Sequence, residues 1–324
     1  MGTAVAMHLA RAGNETVLWA SPYDEKILLA LTGERRHPAL PQPLPESLTV
    51  LGPERLREAV DHLEIAVMGA HSTGARWLAR AVTQGTGAAS LPLIVGVAKG
   101  LEPETLKRMS EVYAEEVGHQ HVVSMGGPAL ANELAEGLPT AAVLATLHPE
   151  SAHQAGRAFR TGSFHVQVTD DVAGVEYCTV AKNVAAIGMG IVDGLGKVSG
   201  RSYRNAKSAL FVQAFEEMAE LVVALGGRPE TVQGLAGLGD TLVTSLGGRN
   251  RLFGEMVGEG VEPMKAVDDL AAQGLTVEGW DSARDIRRLA QETAGLGELP
   301  YFDQVHRILF ESASANSLLE SIRG

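Results

Sequence analysis

The hydrophobic period of this chain changes once, near residue 170, and that change limits the fold more than any single motif. Before it, short apolar runs at 16–20, 64–69, 93–98, 121–124, 141–145 and 164–168 alternate with polar or helical stretches such as 2–12 and 73–84. Short runs of β-branched and aliphatic residues between helices predict a parallel sheet covered on both faces. Beyond residue 170 the segments 174–192, 204–225, 229–237, 250–258, 263–273, 279–293 and 302–311 repeat only at helical spacing. The prediction is an α/β, Rossmann-type domain over 1–169 and an all-α domain over 170–324.

A chain of 324 residues that is 45% hydrophobic and 20% charged can bury the cores of two such domains. Its formal net charge of -12 repels a phosphate backbone, and aromatics at 5% are too few for a stacking platform, so no nucleic-acid partner is expected. The only cysteine, Cys178, rules out an intramolecular disulfide and reads as a small core residue. His8, His71, His119 and His121 lack ligand spacing, so no metal is expected. Ser72 and Ser124 stand outside any G-x-S-x-G context, which argues against serine hydrolysis. The most apolar stretch, 172–192, is interrupted by Glu176 and Lys182 and falls short of a membrane span. No signal-peptide pattern opens the sequence, and the expected compartment is the cytoplasm.

The first residues read as part of a dinucleotide fingerprint, which runs strand, G-x-G-x-x-G, helix, strand. Gly2 opens a helix that stops at Gly13, and a strand follows at 16–20. Gly2 is thus the candidate third glycine, where helix and strand pack closely, and the first strand and first two glycines would fall before Met1. An ordinary N-terminal helix is the competing explanation. The second strand ends Trp19-Ala20-Ser21-Pro22, with no acid before Asp24. A neutral Ser21 repels a 2′-phosphate less than a carboxylate does, so NAD and NADP are both admitted.

Five segments add chemistry. They are Val97-Ala98-Lys99-Gly100-Leu101-Glu102; Gly127-Pro128 with Ala131 and Glu133; Gly174-Val175-Glu176 with Ala181-Lys182-Asn183; Gly234 through Gly237-Leu238-Gly239-Asp240, Thr244 and Gly247-Gly248-Arg249-Asn250-Arg251; and Val277-Glu278-Gly279. In order and spacing they resemble the motifs of the NAD(P)-dependent glycerol-3-phosphate dehydrogenases over nearly the whole chain. The resemblance implies a Rossmann domain followed by a helical domain of the 6-phosphogluconate dehydrogenase-like type, assembled as a homodimer. The implied reaction interconverts dihydroxyacetone phosphate and sn-glycerol 3-phosphate with NAD or NADP, feeding glycerophospholipid synthesis. The partner is then a small phosphorylated three-carbon substrate.

The same resemblance assigns roles. Lys182 is the catalytic acid/base, Asp240 and Thr244 stand beside it, and Lys99 orients the substrate and meets the cofactor. Asn183, Arg249 and Asn250 face the substrate, with Arg249 also toward the cofactor. Glu278 lies near the nicotinamide, and Ala131, Gly2 and Ser21 belong to the dinucleotide site. Reducing a ketone needs a proton donor where negative charge develops, and a lysine among apolar neighbours has its pKa lowered toward that task. Gly247-Gly248 before Arg249 resembles an anion cradle at a helix start. Simpler explanations compete at each position. Lys182 could snorkel at a helix surface, Asp240 could cap a helix after Gly239, and Lys99, Glu278 and Arg251 could be solvated.

Two departures from the family pattern stand out. Val212 and Gln213 occupy the stretch before Glu217-Met218 where the family usually has an arginine, and the segment Gly69-Ala70-His71-Ser72 lacks the usual proline. The first admits a related hydroxyalkyl phosphate or phosphonate as substrate. The incomplete fingerprint admits a non-catalytic nucleotide-binding homologue.

Overall fold

The structure is a computed structural model that describes residues 1–86, 92–117 and 122–322. His119, His121 and the first residue of the expected 121–124 strand lie outside the described residues. The chain forms two compact units: Met1–Ala98 with Lys107–Val172, and Lys99–Leu106 with Ala173–Gly324. The sequence division at 169/170 runs three residues ahead of the second boundary. It also leaves the Lys99–Leu106 segment in the first domain, whereas that segment clusters with the second unit.

In the first unit the elements run α1 Gly2–Arg11, β1 Thr16–Trp19, α2 Glu25–Thr32, β2 Leu48–Leu51, α3 Leu56–Ala59, β3 Ile65–Met68 and α4 Ser72–Thr86. They continue β4 Leu93–Gly96, α5 Met109–Val117, β5 Val122–Gly126, α6 Ala131–Glu136, β6 Thr140–Ala145, α7 Pro149–Phe159 and β7 Phe164–Thr169. The strand β2, which sequence reasoning did not single out, follows directly on a proline-marked stretch. It pairs in parallel with β1 as a two-stranded sheet, while β3 to β7 form a five-stranded sheet in sequence order. Along β4 all four residues are buried, with Leu93 and Val95 in one hydrophobic cluster and Ile94 in another, so both faces of this sheet are covered.

The expectation of an all-parallel sheet is corrected at one place, since β6 runs antiparallel to β5. The connection explains it. Helix α6 has six residues and rises about 9 Å, too little to return the chain to the far end of β5. Helix α7, with eleven residues, completes a crossover, and β7 lies parallel to β6.

The second unit is helical: α8 Val172–Ser199, α9 Arg204–Ala224, α10 Pro229–Gln233, a π-helical turn Leu235–Gly239, α11 Asp240–Leu246, α12 Arg249–Gly258, α13 Pro263–Ala272, α14 Glu278–Glu292, α15 Pro300–Phe310 and α16 Ser317–Glu320. Helix α8 is long and apolar enough to span a membrane by length and composition, but 94% of that window is buried inside the protein, which makes it the core helix. Cys178 lies in it, fully buried. Helix α12 crosses α8 at very close range. A Cβ on Gly190 or Gly194 would overlap the carbonyl oxygens of Arg251 and Glu255, and one on Gly254 or Gly258 those of Ile187 and Ile191. Charges flank the crossing. Asp193 accepts from Lys207 at 2.6 Å and from Arg251 at 2.7 Å, and Arg251 also pairs with Glu255 at 3.0 Å. Arg251 is therefore a helix residue in an ion-pair network rather than part of a solvated loop.

Gln213 is explained here. It is buried in α9 and donates to Glu217 at 2.9 Å, and the Glu217 carboxylate accepts from the backbone N–H of Tyr301 and Phe302 at 2.9 and 3.2 Å. Glu217 thus satisfies the first turn of α15, and Gln213 helps to hold it there.

Helix α14 carries a titration signature. Burial, with the Asp281 carboxylate adding to it, raises Asp285 to about 7 against the pull of Arg288 and Arg284. An acid raised in the folded state takes up a proton on folding, so its contribution is complete below about pH 4 and is lost as pH rises through about 7. Asp285→Asn is expected to flatten this slope: melting temperatures at pH 5 and pH 8 should differ less in the variant than in the parent. An unchanged difference would count against the assignment.

Candidate active site

Lys182 and Asn183 are consecutive in α8, about 100° apart around the helix, so they face different neighbours. Lys182 is 5% exposed; its Nζ donates to Asp240 Oδ1 at 2.7 Å and to Thr244 Oγ1 at 3.0 Å. The other oxygen of Asp240 accepts from Lys99 Nζ at 2.7 Å. Asp240 is the first residue of α11, it follows the π turn, and it makes no capping bond to its own helix. The capping explanation is thereby replaced: both carboxylate oxygens are turned to lysines. Thr244, one turn on, points its hydroxyl to the Asp240 carbonyl at 2.7 Å, which leaves the oxygen free to accept from Lys182. Lys182 is not a snorkelling surface residue, and Lys99, with its side chain 14% exposed, is not a solvated strand-end lysine.

Two lysines on one carboxylate leave a net positive charge in a buried place. Burial lowers Lys182 to about 8; Asp240 pulls it upward and the Lys99 ammonium pushes it further down. The segment Lys99–Leu106 is anchored to the helical unit at both ends, since Arg288 of α14 donates to the Glu104 carbonyl at 3.0 Å.

On the other side of α8, Asn183 Oδ1 accepts from Asn250 Nδ2 at 2.9 Å, and Asn250 Oδ1 accepts from the Gly279 N–H at 3.0 Å. Only a glycine fits at 279, because a Cβ would press on Ile187, Asn250 and the Asn183 carbonyl. This chain of amides leaves Asn183 Nδ2 buried with no partner among the described residues. A buried donor in that state is costly unless a ligand takes it. Gly247 and Gly248, the latter at φ +95°, lead into α12, where the half-exposed Arg249 lies 3.6 Å from Glu278. Lys99, Lys182, Asn183, Asp240, Thr244, Arg249, Asn250 and Glu278 therefore all fall within the helical unit.

The sequence agrees with this geometry at the level of whole families. The family models for the N-terminus and the C-terminus of NAD-dependent glycerol-3-phosphate dehydrogenase match residues 1–152 and 171–320. The chain belongs to the NAD-dependent glycerol-3-phosphate dehydrogenase family. Among its relatives, the NADP(+)-dependent glycerol-3-phosphate dehydrogenase of Archaeoglobus fulgidus is 30% identical over 98% of this chain and 95% of its own length. The NAD(P)+ glycerol-3-phosphate dehydrogenase of Thermoanaerobacter sp. is 34% identical over 99% and 93%. The crystal structure of glycerol-3-phosphate dehydrogenase from Coxiella burnetii superposes with a TM-score of 0.84 at 32% identity, over 98% of this chain and 94% of that one.

A glycerol-3-phosphate dehydrogenase uses a nicotinamide dinucleotide, and the α/β unit has features that fit one. Gly2 opens α1 close to the end of β3, where a Cβ on it would stand 3.3 Å from Gly69 Cα. Ser21 follows β1, and Ala131 begins α6 after Gly127, which is held at φ +99°. Sequence reasoning missed Asp24. Its carboxylate folds back onto Ser21, accepting from Ser21 N–H at 2.8 Å and Oγ–H at 2.6 Å. The signal was present as a capping box, Ser21-Pro22-Tyr23-Asp24, with proline at the first position.

Proposed function

We propose that this chain reduces dihydroxyacetone phosphate reversibly to sn-glycerol 3-phosphate, with Lys182 as proton donor in the forward direction. The observation that carries the proposal is the buried Lys182 ammonium, whose hydrogen bonds to Asp240 and Thr244 use two of its three N–H groups. The third is directed to the substrate carbonyl oxygen, and the proton follows as negative charge develops there. The bound dinucleotide supplies the hydride. Asp240 fixes the orientation of both lysines. Lys99 places a second positive charge beside the oxygen and keeps Lys182 acidic enough to give up its proton.

Asn183 Nδ2 donates to a substrate oxygen, and Arg249 binds the phosphate. Asn250 acts by positioning, because its amide is engaged by Asn183 and Gly279. Glu278 sets the direction of Arg249 across their ion pair. The alternative of a different phosphate or phosphonate substrate loses its support, since Gln213 donates to Glu217, whose carboxylate in turn holds the first turn of α15. A cytoplasmic homodimer is part of the same proposal and rests on the family resemblance; sedimentation should give the mass of two chains.

The purified protein is expected to oxidise NADH or NADPH only when dihydroxyacetone phosphate is present. Lys182 is protonated below about pH 8, so reduction should be level below that pH and fall about tenfold per unit above it. Oxidation of glycerol 3-phosphate should rise through the same midpoint. Absence of turnover would sink the proposal, and a rate of reduction level to pH 9.5 would remove Lys182 from the proton-donor role.

A further inference from the structure

We propose that Asp24 and Ser21, with the aromatic pair Trp77 and Tyr23, form the adenosine end of the dinucleotide site and select NADH over NADPH. This rests on the dehydrogenase function proposed above. In a Rossmann unit the adenosine ribose lies at the carboxyl end of the second strand, and an acid there accepts from the 2′-hydroxyl. The sequence shows only Ser21 at that place. The short 3-10 turn Pro22–Asp24 carries the chain back, so that Ser21 N–H and Oγ–H both donate to Asp24 Oδ2. The other carboxylate oxygen, Oδ1, remains available to a ribose hydroxyl.

The local charge opposes a 2′-phosphate. Asp24 makes no ion pair among the described residues. His37 is the titratable group that feels it. Burial lowers the pKa of His37, and Asp24 only partly restores it. A phosphate dianion at this strand end meets the Asp24 carboxylate, which makes no ion pair among the described residues.

Aromatic surface stands at the same end of β1. Trp77 of α4 stacks on Trp19 with centroids 6.3 Å apart and 16° between planes, and Tyr23 meets Trp77 edge-on at 5.0 Å. Tyr23 is 78% exposed and Trp77 38% exposed. Flat apolar surface next to a ribose-reading carboxylate suits an adenine ring.

The test is direct binding of NADH and NADPH to the full chain, read by energy transfer from tryptophan to the reduced nicotinamide and confirmed by calorimetry. Wild-type protein is expected to bind NADH at least about tenfold more tightly than NADPH. Asp24→Asn keeps an acceptor for Ser21 but removes the charge. It should leave the melting temperature unchanged and bring the two affinities within about threefold. Trp77→Ala should weaken both nucleotides alike, by about tenfold. Equal affinities in the wild type, an unchanged ratio in Asp24→Asn, or full affinity in Trp77→Ala would each overturn the proposal. NADH selectivity without turnover of dihydroxyacetone phosphate would uphold this site and overturn the substrate assignment instead. If neither nucleotide binds, both fail.

Discussion

Lys182→Met is expected to lower kcat for reduction of dihydroxyacetone phosphate by about 10²- to 10⁴-fold, the usual share of a positioned proton donor. Methionine matches the lysine stem in length and apolar character, so α8 should keep its packing. Asp240 keeps one partner, since Lys99 still donates to its second oxygen at 2.7 Å. Dinucleotide affinity should stay within about twofold, because the loss falls on the transition state and not on ground-state binding. Lys99→Met separates the two lysines. Its ammonium pushes Lys182 down, so its removal should move the pH midpoint of reduction above about 8 while costing less in kcat. A Lys182→Met variant that retains more than a tenth of the parental kcat would place the proton donor elsewhere.

Gly254→Ala is expected to be among the most destabilising single-methyl changes in the helical unit. The added Cβ would overlap the Ile187 carbonyl, and Gly258, Gly190 and Gly194 are held in the same way across the α8–α12 crossing. Backbone atoms cannot rotate aside as side chains do, so the helices must separate. A loss of about 3 kcal/mol or more follows, at the upper end of overpacking effects. Separation would also move Asn250 and Arg249 of α12 away from Asn183 of α8, and activity should fall with stability. Gly156→Ala in α7 is the matching control. Nothing stands within 4 Å of its Cβ, and the change should be neutral or stabilise by up to about 1 kcal/mol. Urea unfolding of the two variants decides the matter: equal midpoints would show that the crossing tolerates a methyl group.

Much of the architecture was legible because periodicity is local. A strand shows its alternation, and a helix its stripe, within ten residues, so the strands at 93–96 and 164–169 and the helices of the second half could be read directly. The strand β2 follows directly on the proline-marked stretch and was not separated from it, and the direction of β6 depended on the length of a connecting helix rather than on any feature of the strand itself. The catalytic candidates were legible as a set of residues, but their relations were not. Lys182 and Asp240 are 58 positions apart, and Lys99 and Asp240 are 141 apart.

The sequence by itself determined the two hydrophobic periods, the reserve of lysines, amides and glycines, and the family to which they belong. Only the tertiary structure decided that Asp240 is shared between two lysines rather than used to cap α11. It also placed Lys99–Leu106 with the helical unit, left Asn183 with a buried and unspent donor, and turned Asp24 back to the end of β1. The physical reason is the same in each case. Propensity and pattern act between near neighbours, whereas burial, charge pairing and hydrogen-bond satisfaction are settled only when distant segments are packed together.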